Sequence, residues 1–368
     1  VNAVHETDNE SEEIQAPVRR NAVKFSSLER LMFVLSGEHP TLPTAEVCGA
    51  IEAEHHQLEV LDCLDQVLVV KTKSEPDVLA SRLAMCHQIC WHLSTSSLDD
   101  ALDAIGSSDI VDLIPHGKTF SVKVKRIKKY SPHVDTQKLA KKVAELIARE
   151  IDFKVDLISP DFEIICALSE NQCVSGILAT KVDRSQLLKR RPISRAAFHP
   201  STLTPSLARC MVNLARTPRG GVLLDPFCGI GGILIEAGLI GAKPVGIDVD
   251  PKMIDGSRKN LEEAGVSDFE LLSGDARKLP NIEVDAIATD PPYGRQATTH
   301  GVPLEKLYEG ALPEMARVLK KNGHLCITSP STVEIENIAA DAGLKLLERH
   351  EQRVHKGLTR LIYVFRGE

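Results

Sequence analysis

Along residues 205–368 short, nearly continuous apolar runs alternate with longer amphipathic segments, the rhythm of buried strands separated by helices. The runs predict strands at 221–225, 244–247, 269–272, 284–288 and 324–328 and a closing pair at 345–353 and 359–365. Helices are predicted at 205–216, after a glycine loop through 236–240, at 304–319 and at 332–342, an α/β order. Upstream the rhythm is less regular. Residues 31–35 predict a strand, Pro43 opens a helix to about residue 54, and 58–62 and 67–71 predict a strand pair. From Pro76 onward Leu79, Leu83, Cys86, Cys90 and Leu93 recur on one side of a predicted long helix. From Thr119, Phe120, Val122 and Val124 alternate with Ser121, Lys123 and Lys125, which predicts a strand with one basic face. A helix at 135–149 sets Leu139, Val143, Leu146 and Ile147 against Lys138, Lys141, Lys142 and Arg149. Three short strands follow, at 154–158, 162–168 and 172–178.

At 368 residues the chain should hold two or three domains, and 43% apolar with 26% charged residues is globular composition. No apolar run approaches a membrane span, and residues 1–16 are acidic, so neither a signal peptide nor a transmembrane helix is expected. Nine scattered cysteines fit a reduced, cytoplasmic compartment. Cys86, His87, Cys90 and His92 lack a second ligand pair at zinc spacing, so burial is expected there and no metal.

The net charge of −7 hides a strong local asymmetry. Between Lys118 and Arg149 ten basic residues, Lys128 among them, face only Asp135 and Glu145. Lys181, Arg184, Lys189, Arg190, Arg191 and Arg195 are opposed only by Asp183. A charge run is usually a solvated face, but three neighbouring segments share this sign, which points to RNA. Lys123, Lys125, Lys128, Lys138, Lys141, Lys142, Arg190 and Arg191 are the candidate contacts.

The chemistry gathers at the ends of the C-terminal strands. Val284 to Ala288 runs into Thr289-Asp290-Pro291-Pro292-Tyr293-Gly294, where the proline pair ends the strand because neither residue can donate to a ladder. A carboxylate, backbone carbonyls without competing amide hydrogens and an aromatic ring remain. Such a site suits an exocyclic amine on a flat base, with Tyr293 stacking on it. Upstream, Asp225-Pro226-Phe227-Cys228-Gly229-Ile230-Gly231 is a strand leading into a glycine loop, where a cofactor can approach the backbone. Asp248 ends the next predicted strand, in place for ribose hydroxyls. Asp275, followed by Ala276, ends the one after it, in place for an adenine amine.

Asp-Pro-Pro-Tyr resembles the catalytic motif of S-adenosylmethionine-dependent methyltransferases that modify exocyclic amines. With Gly37-Glu38-His39-Pro40, Arg190-Arg191-Pro192, Phe198-His199-Pro200-Ser201-Thr202-Leu203 and His355-Lys356-Gly357-Leu358-Thr359-Arg360, the chain resembles the archaeal tRNA guanosine-10 N2-methyltransferases and their eukaryotic relatives. The resemblance implies a class I, Rossmann-like methyltransferase domain at 205–368 behind a linker at 181–204. It also implies a THUMP core at 111–180 and an N-terminal ferredoxin-like α+β unit at 21–110, while residues 1–20, acidic and without an apolar period, are expected to form a disordered tail. Asp290, Pro291, Pro292 and Tyr293 would be catalytic. Asp225, Pro226, Phe227, Cys228, Gly229, Gly231, Asp248, Asp275 and Ala276 would hold the cofactor, with His199 and Thr202 bordering it. A structural histidine at 199 is an equal reading. The expected product is N2-methyl- or N2,N2-dimethylguanosine in tRNA, made by an enzyme active alone, although some relatives need a small accessory subunit. Two rivals stay open: an adenine-N6 methyltransferase on DNA or RNA, and a tRNA-binding factor inactive without a partner.

Overall fold

The computed structural model describes residues 28–368 apart from 116, 151–153, 201, 294–302 and 356. The expected tail, and Ser201, Gly294 and Lys356 of the motifs above, lie outside the described residues. The rest forms two mixed sheets that share a core at their junction.

The first sheet begins with β1 (Arg30–Leu35), β2 (Leu58–Leu64), β3 (Val67–Thr72) and β4 (Cys86–Ser97), with α1 (Leu42–Ala53) and α2 (Pro76–Arg82) between them. After α3 (Ala101–Gly106) and α4 (Ile110–Leu113) come β5 (Thr119–Arg126), α5 (Thr136–Glu150), β6 (Lys154–Val155), β7 (Phe162–Ser169) and β8 (Gln172–Lys181). The eight strands lie in the order β2-β3-β1-β4-β8-β7-β5-β6. The expected N-terminal unit and THUMP core therefore share one sheet, sewn along β4 and β8.

One expected element is corrected. The long helix from Pro76 stops at Arg82, and Cys86 and Cys90 lie on β4, where both are fully buried. The Glu46 carboxylate draws the backbone out of the helix by accepting the Ala84 and Met85 amides at 2.9 and 2.7 Å. Ile89, Trp91 and Thr95 then favour the extended form.

Beyond α6 (Ser185–Lys189) and a single 3₁₀ turn (Pro192–Ser194), α7 (Pro205–Leu214) is capped by Thr204, whose hydroxyl accepts the Leu207 amide. The second sheet has seven strands: β9 (Val222–Asp225), β10 (Lys243–Asp248), β11 (Glu270–Ser273), β12 (Val284–Thr289), β13 (Leu319–Pro330), β14 (Leu344–His355) and β15 (Leu358–Gly367). Helices α8 (Gly232–Leu239), α9 (Pro251–Glu263), α10 (Leu304–Val318) and α11 (Glu336–Asp341) connect them. The order β11-β10-β9-β12-β13-β15-β14 is parallel through β13, with β15 and β14 as an antiparallel hairpin. Direction along the sheet reverses between β9 and β12, which opens a crevice at their carboxyl ends.

The two sheets are joined by α1 lying on α7. A Cβ on Gly49 would stand 2.5 Å from the Asn213 carbonyl oxygen, so only glycine permits this approach. Leu42 and Met85 enter the same apolar cluster as Leu207, Met211 and Ile233. Arg82, fully buried, donates to Asn213 Oδ1 at 3.0 Å, the Thr217 carbonyl at 2.8 Å and Glu54 at 2.5 Å. At the far end, His39 Nδ1 accepts the Thr41 and Leu42 amides, so its Nε2 carries the proton donated to the Glu351 carbonyl of β14 at 2.9 Å. The Thr41 hydroxyl bonds His350 Nδ1 at 2.8 Å. Among the described residues no helix is long and apolar enough to cross a membrane.

Candidate active site

β12 delivers Asp290 to the crevice, and β13 and β15 surround it with donors. Thr328 of β13 gives its hydroxyl to Asp290 Oδ1 at 2.5 Å, and the Tyr293 phenol donates to the same oxygen. Arg360 of β15 donates through Nε to the Tyr293 oxygen at 2.6 Å and stands 3.8 Å from Asp290 Oδ1. Its guanidinium carbon lies 5.4 Å from the Tyr293 ring centroid. Burial and the adjacent Asp290 charge push the phenol well above its ordinary range, keeping it a neutral donor. Tyr293, expected only as a stacking ring, is thus also tied by its hydroxyl to the carboxylate. Among the described residues, the bonds to Asp290 converge on Oδ1, so Oδ2 is the oxygen left to face a ligand.

Asp225 departs from its expected place against the cofactor. It is 2% exposed and accepts the Thr289 hydroxyl at 2.6 Å and the Phe227 amide at 3.2 Å. It therefore braces the end of β9 against β12. Burial, reinforced by the charges of Asp290 and Asp248, pushes its carboxyl up to about 7. Pro226 and Cys228 are buried beside it, and burial raises the Cys228 thiol, so packing rather than nucleophilic chemistry is the lot of that cysteine. Phe227, half-buried, packs against the apolar cluster that includes Leu224 and Ile247.

The glycine loop is built for close approach. Gly229 and Gly231 have φ of +51° and +81°, a region where a side chain is strained. A Cβ on Gly231 would also meet Ser257 Oγ of α9 at 2.4 Å. Asp248 accepts the Gly229 amide on Oδ2 at 2.9 Å and the Asp250 amide on Oδ1 at 3.0 Å. A carboxylate held in this way at the mouth of the loop is chemically suited to a vicinal diol. Asp275 grips Arg277 through both oxygens, at 2.6 to 3.1 Å, so an adenine amine would share that carboxylate with a guanidinium. Ala276 is buried beside it.

The linker roofs the loop. Glu263 and Asn260 of α9 hold the Ala196 and Ala197 amides at 2.8 Å. A Cβ on Gly232 would stand 3.2 Å from Thr202 Cγ2 and 3.4 Å from Arg195 Nη1. Thr202 thus reaches the start of α8, and the Thr202 amide donates to the His199 carbonyl at 3.2 Å. Arg195 was visible in the sequence only as one cation of a basic run. Its Nη1 and Nη2 are shut off from solvent with no hydrogen-bond partner among the described residues. Two buried guanidinium nitrogens at the start of a helix fit a ligand carboxylate. S-adenosylmethionine carries such a carboxylate, a ribose diol and a chain that must pass the loop closely, so the donor set fits it.

The basic candidates divide. Lys138, Lys141 and Lys142 stand exposed on α5, with Val143 and Ile147 buried behind them, and Arg191 is exposed in the linker. Lys123 pairs with Glu163, Lys128 with Asp65, and Lys125 donates to Gln88. Arg190, expected to face RNA, instead grips the fully buried Glu236 with two bonds of 3.0 Å, because that carboxylate needs a partner. Among the described residues no cluster of His, Cys, Asp and Glu could hold a metal ion.

Residues 192–362 match the RMKL-like methyltransferase domain family (UPF0020) and residues 96–176 match the THUMP domain. The chain is 37% identical to the tRNA (guanine(10)-N2)-dimethyltransferase of Methanothermobacter thermautotrophicus, over 91% of this chain and 98% of that protein. It is 34% identical to the enzyme of the same name from Methanocaldococcus jannaschii, over 91% of this chain and 99% of that protein. A tRNA (guanine(6)-N2)-methyltransferase of Archaeoglobus fulgidus is 29% identical over 58% of this chain and 59% of that protein.

Proposed function

The chain belongs to the THUMP-containing family of tRNA (guanine(10)-N2)-dimethyltransferases, and from that membership we propose that it methylates the N2 amine of guanosine 10 in tRNA, twice. When bound, S-adenosylmethionine supplies an electrophilic methyl group carried on positively charged sulfur. Arg195 would hold its carboxylate, Asp248 its ribose hydroxyls, and the Gly229–Gly231 backbone the chain between them.

The observation that carries the reading is the one-sided bonding of Asp290. With Tyr293 and Thr328 on Oδ1, Oδ2 and the Pro291 carbonyl are the acceptors available to the two N–H bonds of a guanine amine. The Pro-Pro pair brings no amide hydrogen to compete. Held by both hydrogens, the amine is freed from the conjugation that makes it a poor nucleophile, and its lone pair is aimed away from the ring plane. The gain is one of positioning and electrostatics. Asp290 is also the base placed to take the proton that leaves. A monomethylated amine keeps one N–H for these acceptors, so a second transfer needs no new group. The exposed lysines of α5 would hold the tRNA acceptor end by its phosphates, selecting by shape rather than sequence.

The test uses unmodified tRNA transcripts, methyl-labelled S-adenosylmethionine and nucleoside analysis. N2,N2-dimethylguanosine that disappears when guanosine 10 is replaced is the expected result. Asp290→Ala should lower kcat by about 1,000-fold while cofactor affinity is kept. Label that follows guanosine 6 would overturn the site. Label in adenosine would overturn the base, and tRNA binding without label would point to an accessory subunit.

A further inference from the structure

Resting on the reading of Asp290 to Tyr293 as the amine site, we propose that Arg360 is its positioning residue. Arg360 acts through the Tyr293 hydroxyl to hold the Asp290 carboxylate with Oδ2 turned toward the amine. Arg360 sits near the start of β15, in register with Pro330 of β13 and Gln352 of β14. It is 8% exposed, and each edge of its planar fork is engaged. Nε donates to Tyr293 at 2.6 Å, Nη1 donates to Gln352 Oε1 at 3.1 Å, and Asp290 Oδ1 lies 3.8 Å away.

A donor on the lone pair of the phenol oxygen fixes which way that hydroxyl turns and favours its proton on Asp290. Arg360 is that donor. Without it the phenol is free to turn to Thr328, 3.1 Å away, and the carboxylate is held by a single hydroxyl. A carboxylate that rotates presents either oxygen to the amine, and the lone pair loses its aim. Lysine cannot substitute, because a point charge cannot bond Tyr293 and Gln352 in fixed directions at once.

A merely structural arginine would predict something else: loss of the hairpin, with cofactor binding and rate falling together. The full-length protein, assayed with unmodified tRNA transcript and labelled S-adenosylmethionine, separates the two. Arg360→Met should lower kcat by about 100-fold with the Kd for cofactor and for tRNA unchanged. Arg360→Lys should recover little of it. Tyr293→Phe should be slow as well, and the double variant no slower than Arg360→Met, since both losses pass through one hydroxyl. Arg360→Met with near-normal kcat, losses that multiply, or cofactor affinity falling in step with rate would each overturn the proposal. Should Arg360→Met fail to fold, Gln352→Ala removes only the bond to Nη1, and an unchanged kcat there overturns it too. If Asp290→Ala is inactive while Arg360→Met is not, only the role of Arg360 fails. If Asp290→Ala is active, the amine site itself fails.

Discussion

Lys138, Lys141 and Lys142 stand in water along one face of α5, while Arg82, Arg209 and Arg360 are enclosed at the junction of the two halves or beneath the crevice. The lysines either lack an ion-pair partner among the described residues or, like Lys141 with Glu145 at 3.9 Å, have a loose one. Each arginine meets a particular oxygen at hydrogen-bond distance. Solvated charges are screened and act as a sum, so one can stand in for another. Enclosed charges act through direction, and removing one leaves its partner stranded. The half that carries the THUMP domain can therefore tolerate drift in its charges, and the methyltransferase half cannot.

Arg82→Met should break the comparison at its strongest point. It strands Asn213 Oδ1 and the Thr217 carbonyl inside the junction, and should cost about 3–5 kcal/mol, read from the urea midpoint. A loss no larger than that of a surface lysine would erase the distinction.

Asp225 gives the next effect, and it depends on pH. Its folded carboxyl titrates at about 7 against an ordinary value near 3.8. The stabilising contribution is therefore complete below the ordinary value and is lost as pH rises through 7. Asp225→Asn carries no such charge, so its stability should gain on wild type between these limits, by a total on the order of 4 kcal/mol. Melting curves of both proteins at several pH values check this, and parallel curves would contradict it.

Arg195→Ala should weaken S-adenosylmethionine binding by about tenfold, while the affinity for an analogue lacking the carboxylate stays the same. Equal losses for both would mean that the guanidinium only packs. The smallest effect belongs to the lysines. Lys138→Ala or Lys142→Ala should each weaken tRNA binding only by about twofold to fivefold, and each should lower the slope of log affinity against log salt by about one. A slope that does not change would move the RNA surface elsewhere.

How far these features could be read in advance depends on how local their causes are. The apolar run into Asp290 and the two prolines is self-contained, and the strand end lies where that run predicts. The face of α5 is equally legible, because helical spacing alone separates Val143 and Ile147 from the lysines. Residues 86–97 are not. Cys86, Cys90 and Leu93 fit a helical stripe, and the choice is made by Glu46, distant in sequence, which takes the two amides the helix would need. The single sheet formed along β4 and β8 is hidden for the same reason, since pairing across such a separation leaves no periodic mark. Arg360 was visible as part of a motif but without a role, and Arg195 as one charge in a run. Their chemistry comes from which nitrogen meets which oxygen, a property of the fold alone.

The hold of His39 and Thr41 on β14 bears on how such enzymes could be recombined. Glu351 and His350, which they grip, immediately precede Gln352, the residue that anchors Arg360. The half that carries the THUMP domain is thus also a buttress for the β14–β15 hairpin, and the two are not interchangeable cassettes. A chimera fitted with a foreign RNA-binding half would inherit that half's target but leave the hairpin unbraced, unless the loop around His39 travelled with its own matching strand. Retargeting by domain exchange would then require the seam at His39 to be transplanted as a pair.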